Sequence, residues 1–202
     1  MRRVWAGIIL IVFSVGACGG GEISLTDYVE RVNVIIDRAA SRYEALVAGP
    51  GGEVLVAEAA QLDNFTPRDL QVAFEEVVAI EVEVRDAVGA IEPPEQIADL
   101  HNLLFDFSLS IPIGAAMAVR AGTAADWEEL SATPEMAAYR DQLAYDKQVC
   151  TDFQTQLDAT SERGAFADTP WIPDELKEVV DAVLGCVGFP ANPEDVYRPA
   201  AP

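Results

Sequence analysis

LTDYVERVNVIIDRAASRYEALV, residues 25–47, is the stretch that decides the fold class of this chain. Its apolar side chains recur every three or four residues, which is the spacing that places them on one face of an α-helix. The residues of this face are Leu25, Tyr28, Val29, Val32, Ile35, Ile36, Ala39, Tyr43, Leu46 and Val47. Ser24 and Thr26 are candidate N-caps, and residues 49–52, Gly-Pro-Gly-Gly, end the helix. The pattern predicts an amphipathic helix that packs against other helices.

A second helix follows a well-defined start sequence. In residues 66–69, Thr-Pro-Arg-Asp, an N-cap threonine precedes a proline at the first helical position and an acid in the first turn. The apolar stripe that follows contains Leu70, Phe74, Val77, Val84, Val88 and Ile91. Glu81 interrupts this stripe. Either its side chain reaches toward solvent, or the buried face is a neighbouring one, made of Val77, Val78, Ile80, Val84 and Val88.

A third helix is predicted from Pro94 to about Ala121. The alternation of apolar residues over 105–113 is typical of a strand, but no hairpin turn accompanies it and the preceding residues have helical spacing. Pro112 should kink this helix, because a proline inside a helix removes one hydrogen bond and clashes with the preceding turn. Apolar residues on all sides predict the central helix of a bundle.

Cys150 and Cys186 are predicted to form a disulfide across a C-terminal helical hairpin. One helix spans residues 134–163 and a second spans about 173–187. Cys150 lies 14 residues before the glycine that ends the first helix, and Cys186 lies 13 residues after the proline that begins the second. At 1.5 Å per residue both are about 20 Å from the connecting loop. A redox or metal-binding thiol pair is the alternative, but there is no Cys-x-x-Cys spacing and no nearby histidine.

The predicted fold is therefore all-α. It is a bundle of four main helices with one or two short ones, a kinked central helix and a disulfide in the C-terminal hairpin. The short elements are expected at residues 53–62 and in the acidic segment around Trp127. We expect the bundle domain to span residues 24–188, followed by a proline-rich extended tail over 189–202.

The N-terminus has the composition of a secretory signal. Arg2 and Arg3 precede the apolar run 4–17, and the small residues of Val15-Gly16-Ala17-Cys18 end it. An uncleaved membrane anchor is the alternative, but the run is shorter than the roughly 20 residues that cross a bilayer. The motif before Cys18 resembles the lipobox of bacterial lipoproteins. That resemblance implies a signal peptide over residues 1–17 and a lipidated cysteine with a short tether over 18–23.

The same resemblance gives an expected location. A diacylglyceryl group on the Cys18 thiol and a fatty acyl group such as palmitate on its amine would hold the domain on the extracytoplasmic side of the cell membrane or the outer membrane. Residues 93–101, in which two prolines precede Leu100 and His101, are similar to helical stretches of uncharacterised bacterial envelope lipoproteins. This second resemblance implies no activity.

The net charge of the chain limits the classes of partner that it is expected to bind. The chain carries 13 Lys and Arg against 34 Asp and Glu, a formal net charge of −21. Removing the signal, which contains two arginines and no acid, makes it −23. Such a domain is not expected to bind nucleic acid or an anionic bilayer surface. The charge fits basic partners, cations or simple solubility.

Few residues are candidates for chemistry. Glu92, Glu95 and Asp99 cluster at a turn between helices, where hard oxygen ligands could hold calcium, although a solvated face is the alternative. His101, the only histidine, is interpreted as hydrogen-bonded at a helix interface, since no second histidine completes a zinc site. No nucleophile elbow or phosphate-binding loop occurs, so no cofactor is expected.

The sequence thus favours a non-enzymatic, lipid-anchored helical module that binds a protein or ligand at the cell envelope. Two alternatives stay open. One is a divalent-cation-binding envelope protein that uses the acidic turn. The other is a carrier of a small apolar ligand, held beneath the kinked helix around residues 105–113.

Overall fold

The computed structural model describes residues 23–106, 110–184, 186 and 192–199, and these form seven α-helices and no strand. The helices are α1 (Leu25–Val47), α2 (Pro67–Gly89), α3 (Ala98–Asp106), α4 (Ser110–Ala121), α5 (Trp127–Ser131), α6 (Pro134–Glu162) and α7 (Ile172–Leu184). Short 3-10 turns lie at Gly52–Val56, Ala59–Asn64, Glu95–Ile97 and Pro193–Asp195. The predicted all-α bundle is confirmed, including the short elements before α2 and at Trp127.

The predicted helix starts are capped by their own side chains. The Ser24 hydroxyl accepts the Asp27 amide of α1 at 3.0 Å. At α2 the capping is reciprocal, because the Asp69 amide donates to the Thr66 hydroxyl at 3.3 Å and the Thr66 amide donates to the Asp69 carboxylate at 2.7 Å. These bonds satisfy amides that have no partner within the helix, so the helix starts are fixed locally.

The segment predicted as one kinked helix is helical on both sides of residues 107–109, which lie outside the described residues. It comprises the 3-10 turn at 95–97, α3 and α4. Pro112 is the third described residue of α4. α4 packs against both α2 and α6, as expected of a central helix.

The core is divided into two apolar clusters. Cluster 1 joins α1 and α7 with the second halves of α2 and α6; its members include Val29, Val32, Ile80, Val84, Val88, Phe153, Leu157, Ile172 and Leu176. Cluster 2 joins α4 and α5 with the first halves of α2 and α6; its members include Val54, Leu62, Leu70, Phe74, Met117, Trp127, Leu130, Met136 and Tyr197. Both α2 and α6 therefore run through the two clusters in turn.

The C-terminal tail differs from the extended segment that we predict for residues 189–202. Within 192–199, a 3-10 turn forms and Tyr197 is buried, with a left-handed φ of 51°. The Arg140 guanidinium of α6 holds this segment, since its Nε donates to the Val196 carbonyl at 2.9 Å. The Tyr197 ring stacks on Trp127 with 5.9 Å between centroids. Residues 192–199 therefore contribute Tyr197 to cluster 2.

No helix within the described part of the chain is long and apolar enough to cross a membrane.

Candidate functional site

The structure describes the acidic turn but not the lipidation candidate. Cys18, with residues 1–22, lies outside the described residues. Glu92, Glu95 and Asp99 are all exposed, and among the described residues no group of three His, Cys, Asp or Glu side chains is close enough to hold a metal ion. The three carboxylates predicted to hold calcium are therefore not among such groups in the described part of the chain.

His101 is buried at a helix interface, as predicted. Its Nδ1 lies 2.9 Å from the Tyr28 hydroxyl of α1, and the two rings meet edge to face at 5.7 Å. Burial lowers the pKa of His101 and raises that of Tyr28. A neutral imidazole and a neutral phenol suit this contact, which ties α3 to α1 within the body of cluster 1.

The disulfide joins the middle of α6 to the residue two positions beyond the end of α7. Cys150 and Cys186 have their Cα atoms 5.9 Å apart, within the range that a disulfide spans. Both cysteines are half-buried and border a cavity of about 340 Å³, which Phe153, Gln154 and Lys177 also line. A second, much smaller cavity of about 20 Å³ lies between α1 and α2. Neither borders Pro112, where the apolar-ligand hypothesis places its binding site.

A group of polar side chains lies near the places where α2 and α6 pass from one apolar cluster to the other. On α2, Glu81 lies between Ile80 and Val84 of cluster 1. On α6, Gln142 and Asp146 lie between Met136 of cluster 2 and Phe153 of cluster 1. We call Glu81, Gln142, Asp146 and the nearby Tyr43 and Tyr139 the polar layer.

On the α6 side of the polar layer, a hydrogen bond joins the side chains of Gln142 and Asp146. The Gln142 side-chain amide donates to the Asp146 carboxylate at 2.8 Å, and both side chains are buried. Two further pairs on α6 repeat the spacing and the 2.8 Å bond, Gln148 to Asp152 and Gln154 to Asp158, but these are exposed. Local helix geometry therefore explains the bond itself, while tertiary packing makes the first pair different from the others.

Burial changes the acidity of both carboxyl groups. Burial, together with the charge of Asp146, raises the pKa of Glu81 from its ordinary 4.5 to about 7. Burial also raises the pKa of Asp146 from 3.8 to about 6, against the opposing effect of the bond from Gln142. Two acids that are ionised in water are thus partly protonated in this fold near neutral pH.

Tyrosines complete the layer and connect it to the tail. Burial and the carboxyl group of Glu81 raise the pKa of Tyr43 on α1. The pKa of Tyr139 on α6 is raised first by burial and then by electrostatic interaction with Tyr197, Glu81, Tyr43 and Asp146. The Tyr139 ring meets Phe74 edge to face at 5.2 Å. Tyr43 therefore interacts electrostatically with Glu81, and Tyr139 with both carboxyl groups.

The arginines that adjoin Tyr43 and Tyr139 in the sequence bind groups outside the polar layer. Arg42 of α1 pairs with Glu76 and Glu83, and Arg140 of α6 is occupied by carbonyl and hydroxyl oxygens of Ser131 and Val196. Among the ion pairs of the described residues, none involves Glu81 or Asp146. The raised pKa values of Glu81 and Asp146 make the layer a candidate functional site.

Sequence reasoning found only part of this site. Glu81 stands out as an acid on an apolar stripe, and the structure shows it half-buried there. The sequence does not single out Asp146, Gln142 or Tyr139, because no apolar pattern on α6 marks their burial. The Gln-x-x-x-Asp spacing of Gln142 and Asp146 recurs at two exposed pairs on α6, so it does not identify the buried pair.

No protein-family model, curated protein or solved structure matches this chain.

Proposed function

We propose that this protein is a lipid-anchored helical module on the extracytoplasmic side of a bacterial envelope membrane, and that it acts by binding a protein or ligand. The motif Val15-Gly16-Ala17-Cys18 supports the anchor. The disulfide between Cys150 and Cys186 is the structural observation that carries the location, because disulfides persist outside the cytoplasm and are rare within it.

The three cysteines of the chain are sufficient for one lipid anchor and one disulfide. Cys150 and Cys186 are used by the bridge, which leaves Cys18 as the remaining cysteine of the chain. α1 begins at Leu25, so the tether between the lipidated residue and the bundle would span at most about 25 Å when fully extended. The proposal therefore positions the end of the bundle where α1 starts close to the bilayer.

A binding function is preferred over a catalytic one because of the chemistry of the described residues. His101 is engaged with Tyr28, and the two perturbed carboxyls of the polar layer lack a neighbouring nucleophile in the described set of contacts. The net charge of −23 for the mature chain favours a basic partner over an anionic one. A partner protein with a positively charged surface fits this module best.

A single substitution tests the anchor. The full chain and its C18S variant are expressed in bacteria supplied with an alkyne-tagged palmitate, and membranes are extracted with alkaline carbonate. The wild-type chain should carry the tag and stay in the membrane pellet, whereas C18S should lose both properties. The double variant C150S/C186S is the matched control, because it removes two thiols and should still carry the tag. A C18S chain that stays in the membrane pellet would contradict the proposal.

A further inference from the structure

Three aromatic rings of cluster 2 surround the side chain of Tyr197 from the C-terminal segment. The Tyr197 ring stacks on Trp127 of α5 with 5.9 Å between centroids and on Tyr139 of α6 with 6.5 Å. Phe74 of α2 meets the same ring edge to face at 6.4 Å. We call the rings of Phe74, Trp127 and Tyr139 the aromatic slot. Because stacked and edge-to-face contacts are both made to Tyr197, the slot fits a flat aromatic side chain.

Contacts that do not involve the C-terminal segment fix the walls of the slot. The Trp127 Nε1 donates to the Phe65 carbonyl at 2.9 Å. The rings of Phe74 and Tyr139 meet edge to face at 5.2 Å. Each of these contacts joins residues that precede the segment in the chain, so the slot is organised before Tyr197 enters it.

Arg140 provides a hydrogen-bond donor for the backbone that enters the slot. Two nitrogens of its guanidinium group donate to the Ser131 carbonyl at 3.0 Å and to the Ser131 hydroxyl at 2.9 Å, and these bonds orient the group. The Nε of Arg140 then donates to the carbonyl of Val196, the residue before Tyr197, at 2.9 Å. The slot and the oriented donor together match an aromatic residue and the carbonyl that precedes it in a peptide.

The segment that fills the slot is strained and has few polar contacts with the bundle. Tyr197 has a φ of 51°, in the left-handed region that is unfavourable for a residue with a side chain. Among the described residues, two hydrogen bonds join 192–199 to the bundle. One is the bond from Arg140, and the other, from the Tyr197 hydroxyl to the Leu55 carbonyl, is long at 3.5 Å. An aromatic residue with a relaxed backbone makes the same ring contacts without this strain.

We propose that the aromatic slot is a peptide-binding site that the chain occupies with its own residues 192–199, and that an aromatic residue of a partner protein displaces Tyr197. The ring of the partner packs against Trp127 and Tyr139, and the carbonyl before it accepts the bond from Arg140. The C-terminal segment competes with the partner, so the fraction of chains with an open slot sets the apparent affinity. This inference rests on the binding function proposed above and does not depend on the lipid anchor.

Peptide binding to the full chain and to its Y197A variant tests the slot. The probe is an acetylated and amidated peptide with the sequence of residues 192–199, and the readout is the indole ¹H–¹⁵N NMR signal of Trp127, assigned through W127F. Y197A empties the slot and should bind the peptide at least about tenfold more tightly than wild type. Y145A is the matched control, since Tyr145 of α6 is 42% exposed, and it should bind as wild type does. A peptide with alanine in place of its tyrosine should bind to none of these chains.

Hydrogen exchange of the wild-type chain provides a second readout that requires no variant to fold. The Nε proton of Arg140 is protected by its bond to the Val196 carbonyl. Relative to intrinsic rates, it should exchange at least about 100-fold faster than the amide of Val149 on the buried face of α6, because the segment opens locally. Equal protection of the two groups would overturn the proposal, as would equal peptide affinities of wild type and Y197A. Neither result changes the labelling expected at Cys18, so failure of the slot is distinguishable from failure of the anchor.

Discussion

Glu81 on α2 and Asp146 on α6 both have raised pKa values, and the charge of Asp146 contributes to the shift of Glu81. Because folding raises both pKa values, the folded protein binds more protons than the unfolded chain at pH values between the ordinary and the raised pKa values. The stability that they contribute is complete below their ordinary values of 4.5 and 3.8 and is lost as the pH rises through about 6 and about 7.

Replacing Gln142 with methionine should destabilise the folded protein by about 1–3 kcal/mol at about pH 8, because the buried Asp146 carboxylate loses its 2.8 Å bond. The pKa of Asp146 should rise further, since that bond now lowers it. The measurement is denaturant unfolding at two pH values. Q148M is the matched control, because it removes the same kind of bond from the exposed Asp152, and its effect should stay within about 0.5 kcal/mol. Equal losses in the two variants would contradict the prediction.

Replacing Tyr28 with phenylalanine should cost about 1–3 kcal/mol, because it leaves the buried His101 Nδ1 without the hydroxyl 2.9 Å away. Y145F is the control, since Tyr145 is 42% exposed. Folding lowers the pKa of His101, so the contribution of this group is lost as the pH falls below its ordinary value of 6.5. The difference between wild type and H101Q in denaturant unfolding should therefore change across mildly acidic pH, in the opposite direction to that of E81Q.

Removing the disulfide should destabilise the domain by about 4 kcal/mol in the loop-entropy model, because Cys150 and Cys186 are 36 residues apart. The measurement is denaturant unfolding of wild type and C150S/C186S, with wild type in excess reductant as a second comparison. The reduced wild type and the double variant should unfold at similar denaturant concentrations. A double variant as stable as the oxidised wild type would show that the bridge does not constrain this fold.

Replacing Arg140 with lysine should release the C-terminal segment, because lysine cannot reproduce the three bonds to the Val196 carbonyl and to the carbonyl and hydroxyl oxygens of Ser131. Tyr197 should then leave its position against Trp127 more often. Digestion with a carboxypeptidase should proceed past Tyr197 faster in R140K than in wild type. R198K is the control, since Arg198 forms an exposed pair with Asp195. A digestion rate in R140K no higher than in R198K would contradict this function of Arg140.

The sequence was sufficient to predict the helices but not the candidate site. Helix starts depend on neighbouring residues, whereas the site depends on tertiary packing. Helix starts at Ser24, Thr66 and Thr133 are set by side chains within one turn, so a local pattern reveals them. The disulfide could be predicted because helix length converts directly into height along the hairpin.

The polar layer depends on contacts between residues that are distant in the chain. Asp146 belongs to one of three similar Gln-x-x-x-Asp pairs on α6, and nothing local distinguishes it from Asp152 or Asp158. Only the packing of α6 against the rest of the bundle buries one pair and exposes the others. Tyr197 was missed for a related reason, because a proline-rich tail gives no periodic pattern that would indicate its burial.

The most direct test of this account is a ¹³C NMR titration of the side-chain carboxyl groups of the full chain, with Glu81 and Asp146 assigned through E81Q and D146N. The account predicts that Glu81 titrates with a midpoint near 7 and Asp146 near 6, as their positions in the polar layer imply. Midpoints for both groups close to their ordinary values of 4.5 and 3.8 would show that the layer is hydrated and holds no proton at neutral pH, and would contradict the account.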